Sequence, residues 1–292
     1  MVGAAAWDVV VCGSLHLDIV VDAPRLPRLD ETAVGSTWKK VCGGKGGNQA
    51  VQAARAGART AMIGRVGRDD FGDMLRANLT RESVDTAAIG WDETQGSGMS
   101  VAIVEAQGEY GAVIVSGANL SLSAAAAMDQ WQALGRARVL VLQNEIPHAT
   151  NLAMARLARE AGAEVVFNAA PSRAEARDLV ALVDVLVVNR VEAADLSGLP
   201  VHDRASAEQA ATVLAQQARA VIVTLGGDGL VMVEWGATPA FIPAVPVRVT
   251  SAHGAGDCFV GAVAAELARG TALPLACATA NRRAAAHVSR IT

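Results

Sequence analysis

The sequence predicts an α/β fold: a doubly wound, mainly parallel sheet with helices on both faces, carrying a small β-lid. Three observations lead there. Short β-branched runs alternate along most of the chain with stretches rich in Ala, Leu, Arg and Glu, the good helix formers. Two regions break that alternation with extended segments that no helix follows. The chain has 292 residues, 52% hydrophobic and 18% charged, enough apolar material for one large domain with a substantial core.

Taken in order, strands are expected at 7–12, 60–66, 138–142, 164–168, 185–188 and 220–225, with helices at 49–56, 71–80, 149–161 and 205–218. The alternation implies parallel pairing with helical crossovers. The Ala tract at 124–127 reads as ordinary helix. Residues 19–41, around Pro24, Pro27 and Gly35, read as extended. Residues 99–116 read as strand, turn at Gln107-Gly108, strand. These two regions are expected to form an antiparallel lid, and 1–18, 42–98 and 117–292 the main domain.

The formal net charge of −4 supplies no basic face for a phosphate backbone, and 3% aromatic residues supply few stacking platforms, so nucleic acid is not expected as a partner. Cys12, Cys42, Cys258 and Cys277 are scattered and read as buried free thiols of a reducing compartment. Residues 1–7 lack a basic leader, and no apolar run reaches the ~18–20 residues that span a bilayer. A cytoplasmic protein without a membrane partner is expected. The histidines at 16, 148, 202, 253 and 287 show no metal-ligand spacing, which disfavours a metal hydrolase.

Four stretches carry chemistry. In Thr250-Ser-Ala-His-Gly-Ala-Gly-Asp257 the small residues Gly254, Ala255 and Gly256 allow a tight turn into an apolar-periodic helix at 258–268. The unsatisfied N–H groups of such a helix start form an anion hole, and a carboxylate beside it suits phosphoryl transfer to an alcohol, with Asp257 as base. The plainer alternative is a helix start with Asp as N-cap. Gly43-Gly-Lys-Gly-Gly-Asn48 lacks the Gly-Lys-Ser/Thr ending of a Walker loop, and suits close backbone approach to a polyhydroxylated ligand, with Lys45 and Asn48 as donors, or else a glycine turn. Asn189-Arg-Val-Glu192 follows a strand, where ligands of doubly wound sheets bind, so it suits phosphate oxygens and magnesium-bound water; Glu192 is equally a first-turn acid. Val223-Thr-Leu-Gly-Gly-Asp-Gly229 reads as a hairpin turn, or as one wall of a nucleotide site with Thr224 beside the adenosine.

In this order and separation the stretches resemble the ribokinase-like carbohydrate kinase family, from about Trp7 to the last residues. The family shows Gly-Gly-x-Gly-x-Asn, then Asn-x-x-Glu, then Gly-Ala-Gly-Asp. The likeness is greatest to its ribokinase branch, through Gly13-Ser14, 43–50, Gly117-Ala-Asn119, Asn168-Ala-Ala-Pro171 and 189–192. The resemblance implies that His16, Asp18, Gly44, Lys45, Asn48, Glu145 and Asp257 contact the sugar. It implies that Asp257 deprotonates the terminal hydroxymethyl beside an anion hole at Gly254, Ala255 and Gly256. It implies that Asn189, Thr224, Gly226, Gly229 and Asn281 line an ATP site, with Glu192 and Asn189 acting on Mg2+. The lid would close over the sugar and exclude water. An apolar lid face would also favour a homodimer through the lid.

Three departures qualify it. His16 stands where ribokinases usually have Asn, which bears on sugar identity: a pentose is expected, D-ribose foremost, with another sugar or a nucleoside as alternative. Its two ring nitrogens permit the same hydrogen bond as Asn. Ser251-Ala252 stand where the family has Asp-Thr, and the Asp there helps hold an activating monovalent cation, K+; Ser251 carries no charge. The sequence stops at Arg290-Ile-Thr292, where relatives continue through a further segment that completes the cation site and one edge of the nucleotide site. The last two departures motivate the reading from another class, a catalytically silent sugar- or nucleotide-binding protein. Asp257, Asn189 and Glu192 argue against it.

Overall fold

In the computed structural model, described over residues 6–105 and 110–289, the chain opens with β1 (Trp7–Cys12), β2 (His16–Ala23), β3 (Thr37–Gly43), α1 (Lys45–Arg55), β4 (Thr60–Gly67) and α2 (Asp70–Arg81). Then come β5 (Val84–Asp85), β6 (Ile89–Asp92), β7 (Gly98–Glu105), β8 (Tyr110–Val115), α3 (Ala124–Leu134), β9 (Ala137–Gln143), α4 (His148–Glu160) and β10 (Glu164–Asn168). The remainder is α5 (Arg177–Val180), β11 (Val185–Asn189), α6 (Arg190–Ser197), α7 (Arg204–Leu214), β12 (Ala220–Thr224), β13 (Gly229–Glu234), β14 (Ala240–Pro243), α8 (Ala255–Ala268) and α9 (Leu273–Val288).

Among the described residues the main sheet has ten strands in the order β14-β13-β12-β11-β10-β9-β1-β4-β5, with β6 also on β4. Pairing is parallel from β12 across to β5, and antiparallel only at the β12-β13-β14 edge. Alternate side chains of one strand feed different cores, as the pleat requires. Val10 and Cys12 of β1 join the core under α3, α4 and α7. Val9 and Val11 join the core under α1, α2, α8 and α9. Every predicted strand and helix is present. Helix α1 starts at Lys45, earlier than the helix-poor Gly46 and Gly47 suggest, because both glycines pack against the Ser14–Leu15 segment. Helix α7 ends at Leu214, short of 218. The short strands β5, β6 and β14 and the helix α9 have no counterpart in the sequence reading.

The second sheet is four-stranded, in the order β3-β2-β7-β8, and it corrects one expectation. β2 pairs with β3, and β7 with β8, antiparallel, but β2 and β7 run parallel from the register His16↔Gly98. Both strands leave the main body at the same edge and run outward, so their returning partners flank them. His16 and Asp18 therefore sit on this sheet, not on the main one. The turn expected at Gln107-Gly108 lies outside the described residues. The outer sheet exposes Trp38 (65%), Val113 (69%) and Ile114 (63%).

Side chains fix where β2 and β7 leave the body. The Asn119 amide spans the backbone of Leu15, accepting from its N–H at 2.8 Å and donating to its carbonyl at 2.8 Å, as a neighbouring strand would. The buried Asp92 carboxylate accepts from the Thr94 and Gln95 N–H groups and the Thr94 hydroxyl, each at 2.9 Å, from Arg65 Nε at 3.0 Å and from the Ser121 hydroxyl. The Ser121 hydrogen bond, with those of Thr94 and Gln95, holds Asp92 well below the usual carboxylate range. A depressed folded-state pKa contributes stability that is complete above the unfolded value of about 3.9 and is lost as pH falls through the folded value. Asp92→Ala is expected to cost about 1.5–3 kcal/mol at pH 7, because it removes several hydrogen bonds made to one charged acceptor. Urea unfolding at pH 7 and pH 3 measures this, and the difference from wild type should shrink at the lower pH.

Three of the four thiols are buried; Cys42 is only half-buried, on the partly exposed strand β3, which corrects the expectation for that residue. Burial pushes the Cys12 and Cys277 thiols up to about 12. Among the described residues no helix is long and apolar enough to cross a membrane.

Candidate active site

The carboxyl ends of the parallel strands converge on one cleft, where doubly wound sheets place their ligands. Ser14 follows β1, Gln143 ends β9, Asn168 ends β10, Asn189 ends β11 and Thr224 ends β12. A cavity of about 170 Å3 opens there, lined by Lys45, Asn189, Glu192, Thr224, Gly254 and Asp257 among others.

Helix α8 begins at Ala255 with Gly254 before it in the left-handed region, φ 74°, a conformation that glycine adopts without penalty. Asp257 is thus the third helical residue and not the N-cap, which disposes of the capping alternative. The Cys258 N–H is the first to close onto the Gly254 carbonyl, at 2.9 Å. Ahead of it the Ala255 N–H donates to the Ala252 carbonyl at 3.4 Å, and Gly254, Ala255 and Gly256 line the cavity at this helix start, where anions are favoured. The Asp257 carboxylate is buried. Its Oδ2 accepts from Asn48 Nδ2 and its Oδ1 from Gln49 Nε2, each at 3.0 Å. Burial raises its pKa above the ordinary carboxylate value, with Glu145 adding to the rise; Lys45, Asn48 and Gln49 oppose it.

The glycine loop between β3 and α1 is held by close backbone contacts. Gly44 has φ 85°, and a Cβ there would lie 2.8 Å from the His16 nitrogen. The Lys45 N–H donates to Glu145 Oε2 at 2.9 Å, and the same oxygen accepts from the Ser14 hydroxyl at 2.5 Å. His16 Nδ1 lies 3.9 Å from that carboxylate, while its buried Nε2 has no hydrogen-bond partner among the described residues. Asp18 Oδ1 accepts from the Ser100 hydroxyl at 2.5 Å, across the β2–β7 pair. The expected sugar contacts His16, Asp18, Gly44, Lys45, Asn48 and Glu145 are therefore brought together around the base of the second sheet.

The other wall is built by a capping box. Asn189 Oδ1 accepts from the Val191 and Glu192 N–H groups at 2.9 and 3.0 Å, and the Glu192 carboxylate accepts from Asn189 N and Nδ2 at 2.8 and 3.0 Å. Burial raises the Glu192 pKa. Arg190 clamps the Gly226–Asp228 turn through the Asp228 carboxylate and the Leu225 carbonyl, the latter at 3.2 Å. Gly229 is demanded by the hairpin itself: φ is 114°, and a Cβ would lie 2.2 Å from the Ile242 carbonyl oxygen. Gly226, Gly229 and Asn281 do not line the 170 Å3 cavity. Asn281 donates to the Pro243 carbonyl at 2.8 Å, tying α9 to the end of β14.

The pattern of the pfkB family carbohydrate kinases matches residues 7–291, nearly the whole chain. The chain belongs to this family. Ribokinase of Mus musculus is 36% identical over 263 residues, covering 89% of this chain and 81% of that protein. Ribokinase of Lactococcus lactis is 34% identical, covering 88% and 82%. The structure of Arabidopsis thaliana ribokinase complexed with ribose and ATP aligns with a TM-score of 0.89 at 27% identity, over 97% of this chain and 93% of that one. The pfkB fold accounts for both sheets, and the chain is accordingly a sugar kinase.

Sequence reasoning missed several residues of this kinase cleft. Gln49, Gln143 and Asn168 are buried behind Asp257 and joined to it by hydrogen bonds. Their signal was weak: Gln49 adjoins the glycine motif, and Gln143 and Asn168 each end an apolar strand. A polar residue at that position is the only local hint.

Proposed function

We propose that this chain transfers the γ-phosphoryl group of ATP to the terminal hydroxymethyl of D-ribose, giving ribose 5-phosphate. The observation that carries the reading is Asp257: a buried carboxylate in the first turn of α8, held by two carboxamides, opening on the same cavity as Lys45 and Glu192. The ribokinase relatives, and the ribose and ATP in the Arabidopsis structure, support the choice of sugar and nucleotide.

In this mechanism His16, Asp18, Lys45, Asn48 and Glu145 orient the sugar so that its terminal hydroxyl faces Asp257. His16 Nε2, buried and without a protein partner among the described residues, is the atom that replaces the usual Asn contact. Asp257 accepts the hydroxyl proton as the oxygen attacks, and the N–H groups of the Gly254–Gly256 turn stabilise the charge spreading over the transferred group. Asn189, Thr224, Gly226, Gly229 and Asn281 form the nucleotide side. The second sheet closes over the sugar and keeps water from competing.

Among the described residues, no group of three or more His, Cys, Asp or Glu comes together that could hold a metal by itself. A buried Glu192 facing the cavity fits Mg2+ held largely by phosphates and water, with Glu192 and Asn189 ordering that water. When bound, Mg2+ neutralises β- and γ-phosphate charge. Ser251 offers the Oγ that accepts from the His253 N–H at 3.3 Å, and no charge for a monovalent cation, so turnover is expected to change less than twofold on adding K+. A homodimer through the second sheet would cover Trp38, Val113 and Ile114, and a cytoplasmic location suits the reduced thiols.

Coupled ADP release with magnesium-ATP, run against ribose, 2-deoxyribose, fructose, adenosine, uridine and a blank, with and without K+, tests the reading. Ribose is expected to give the highest kcat/KM. A higher value with adenosine would move the chain to nucleosides, and no release with any substrate would favour a binding-only role. Because burial raises the Asp257 pKa and the base acts only when ionised, kcat/KM is expected to fall as pH drops through a value above the usual ~4 of a carboxylate. An acid limb at or below 4 would count against Asp257.

A further inference from the structure

Behind Asp257 lies a buried chain of carboxamides whose polarity can be read from one fixed point. The Val187 carbonyl on β11 only accepts, so Asn168 turns its Nδ2 toward it, at 3.2 Å. Asn168 Oδ1 therefore faces Gln49, which meets it with Nε2 at 3.0 Å. The same Nε2 donates to Asp257 Oδ1 at 3.0 Å. Gln49 Oε1 is left to accept, and Gln143 Nε2 donates to it at 2.8 Å. Gln49 and Gln143 are both 0% exposed. Room for Gln143 depends on Gly13, where a Cβ would lie 2.0 Å from Gln143 Oε1. The Asn151 side chain closes the far end by donating to the Gln143 carbonyl at 2.7 Å.

Gln49 has one orientation that satisfies its neighbours: Nε2 toward Asp257 Oδ1 and Asn168 Oδ1, and Oε1 toward Gln143 Nε2. Turning Gln49 over would set its Oε1 against Asp257 and Asn168, and two acceptors buried face to face repel. Gln143 Nε2, which meets Gln49 Oε1 at 2.8 Å, opposes that turn, while Gln143 Oε1 itself has no partner among the described residues. We propose that Gln143 and Gln49 form a relay that positions Asp257 and holds it as the carboxylate, making Gln49 a positioning residue for phosphoryl transfer. The proposal rests on the reading of Asp257 as base.

The charged groups around Asp257 are few. Lys45 on α1 favours the carboxylate and Glu145, after β9, opposes it. Glu192 on α6 lines the same cavity, and α9 brings His287, whose Nε2 lies 3.1 Å from the His253 carbonyl oxygen. β10 and β11 bring only Asn168 and uncharged backbone to this point. Against burial, Lys45 is the foremost influence favouring the carboxylate, and the neutral donors Asn48 and Gln49 add to it.

The test compares pH profiles of kcat/KM, by ADP release with the best sugar of the panel, for wild type, Gln49→Met, Gln143→Met and Asp257→Asn. Methionine keeps the volume and removes the amide. Gln49→Met should move the acid limb up by about one to two pH units, the shift equivalent to losing one hydrogen bond to a charged acceptor. Gln143→Met should move it the same way by about half a unit, since Gln49 keeps its amide but loses its orientation. An acid limb that stays at the wild-type position in both variants, whatever the plateau does, overturns the relay. A shift in Gln49→Met alone overturns the part assigned to Gln143. Should Gln49→Met fail to fold, the Gln143→Met profile decides. If Asp257→Asn itself keeps near-normal turnover, the base reading has failed, and the relay with it, for a reason the glutamine variants would not report.

Discussion

Asp257→Asn is expected to lower sugar-dependent ADP release by about a hundred- to ten-thousandfold while ribose and nucleotide still bind. The substitution keeps the size and planarity of the group and removes its ability to take a proton. It also replaces one acceptor oxygen by an NH2 that must face either Asn48 Nδ2 or Gln49 Nε2, both donors held 3.0 Å away. Against that local loss stands a gain. A carboxylate whose pKa is raised on folding binds its proton more tightly in the native state, so its ionisation lowers stability as pH rises from the unfolded value through the folded one. At pH 7 the full penalty is present, and the neutral Asn is free of it. The melting temperature of Asp257→Asn should therefore stay within a few degrees of wild type. Titration calorimetry with ribose and with ADP, beside the turnover assay, separates lost chemistry from lost binding; turnover within tenfold of wild type would remove Asp257 from the mechanism.

Gly44→Ala is expected to strain the sugar side of the site and lower both stability and sugar binding. Two independent strains coincide there. The backbone at φ 85°, ψ 134° is one that side chains rarely adopt, which costs about 1–3 kcal/mol. The new Cβ would also lie 2.8 Å from the His16 nitrogen and 2.9 Å from both Leu15 Cα and the Ser14 carbonyl oxygen, all backbone atoms that no rotamer change can clear. Overpacking of this kind costs about another 1–3 kcal/mol. The sum, about 3 kcal/mol or more, should lower the melting temperature by roughly 5–10 °C. Relief by moving the loop would shift Lys45, whose N–H is tied to Glu145 at 2.9 Å, so the sugar KM should rise at least tenfold as well. A melt and a KM both matching wild type would mean that the β3–α1 loop adapts without consequence.

Much of this molecule was legible in the chain. Helix formers and β-branched runs are local signals, and the mainly parallel sheet, most of its strands and helices, and the presence of a second small sheet followed from them. Asp257, Lys45, Asn189 and Glu192 were legible because glycine turns and strand ends announce the places where backbone can approach a ligand. One pairing departs from the expectation. The parallel run of β2 beside β7 is decided by where two distant segments leave the body, held by Asn119 across Leu15 over 104 residues. The place of Asn281, tied to the Pro243 carbonyl at 2.8 Å, likewise depends on how α9 docks against β14.

Periodicity and turn chemistry thus determined the fold class and singled out Lys45, Asn189, Glu192 and Asp257, which line one cavity, because both act over a few neighbouring positions. Which buried amide would face which carboxylate was decided by the tertiary structure alone. Gln49 meets Asp257 across 208 residues, and Gln143 meets Gln49 across 94. Those pairings arise from the packing of α1 and α8 over the ends of β9 and β10, where the buried Gln49 finds acceptors for its Nε2 and a donor for its Oε1.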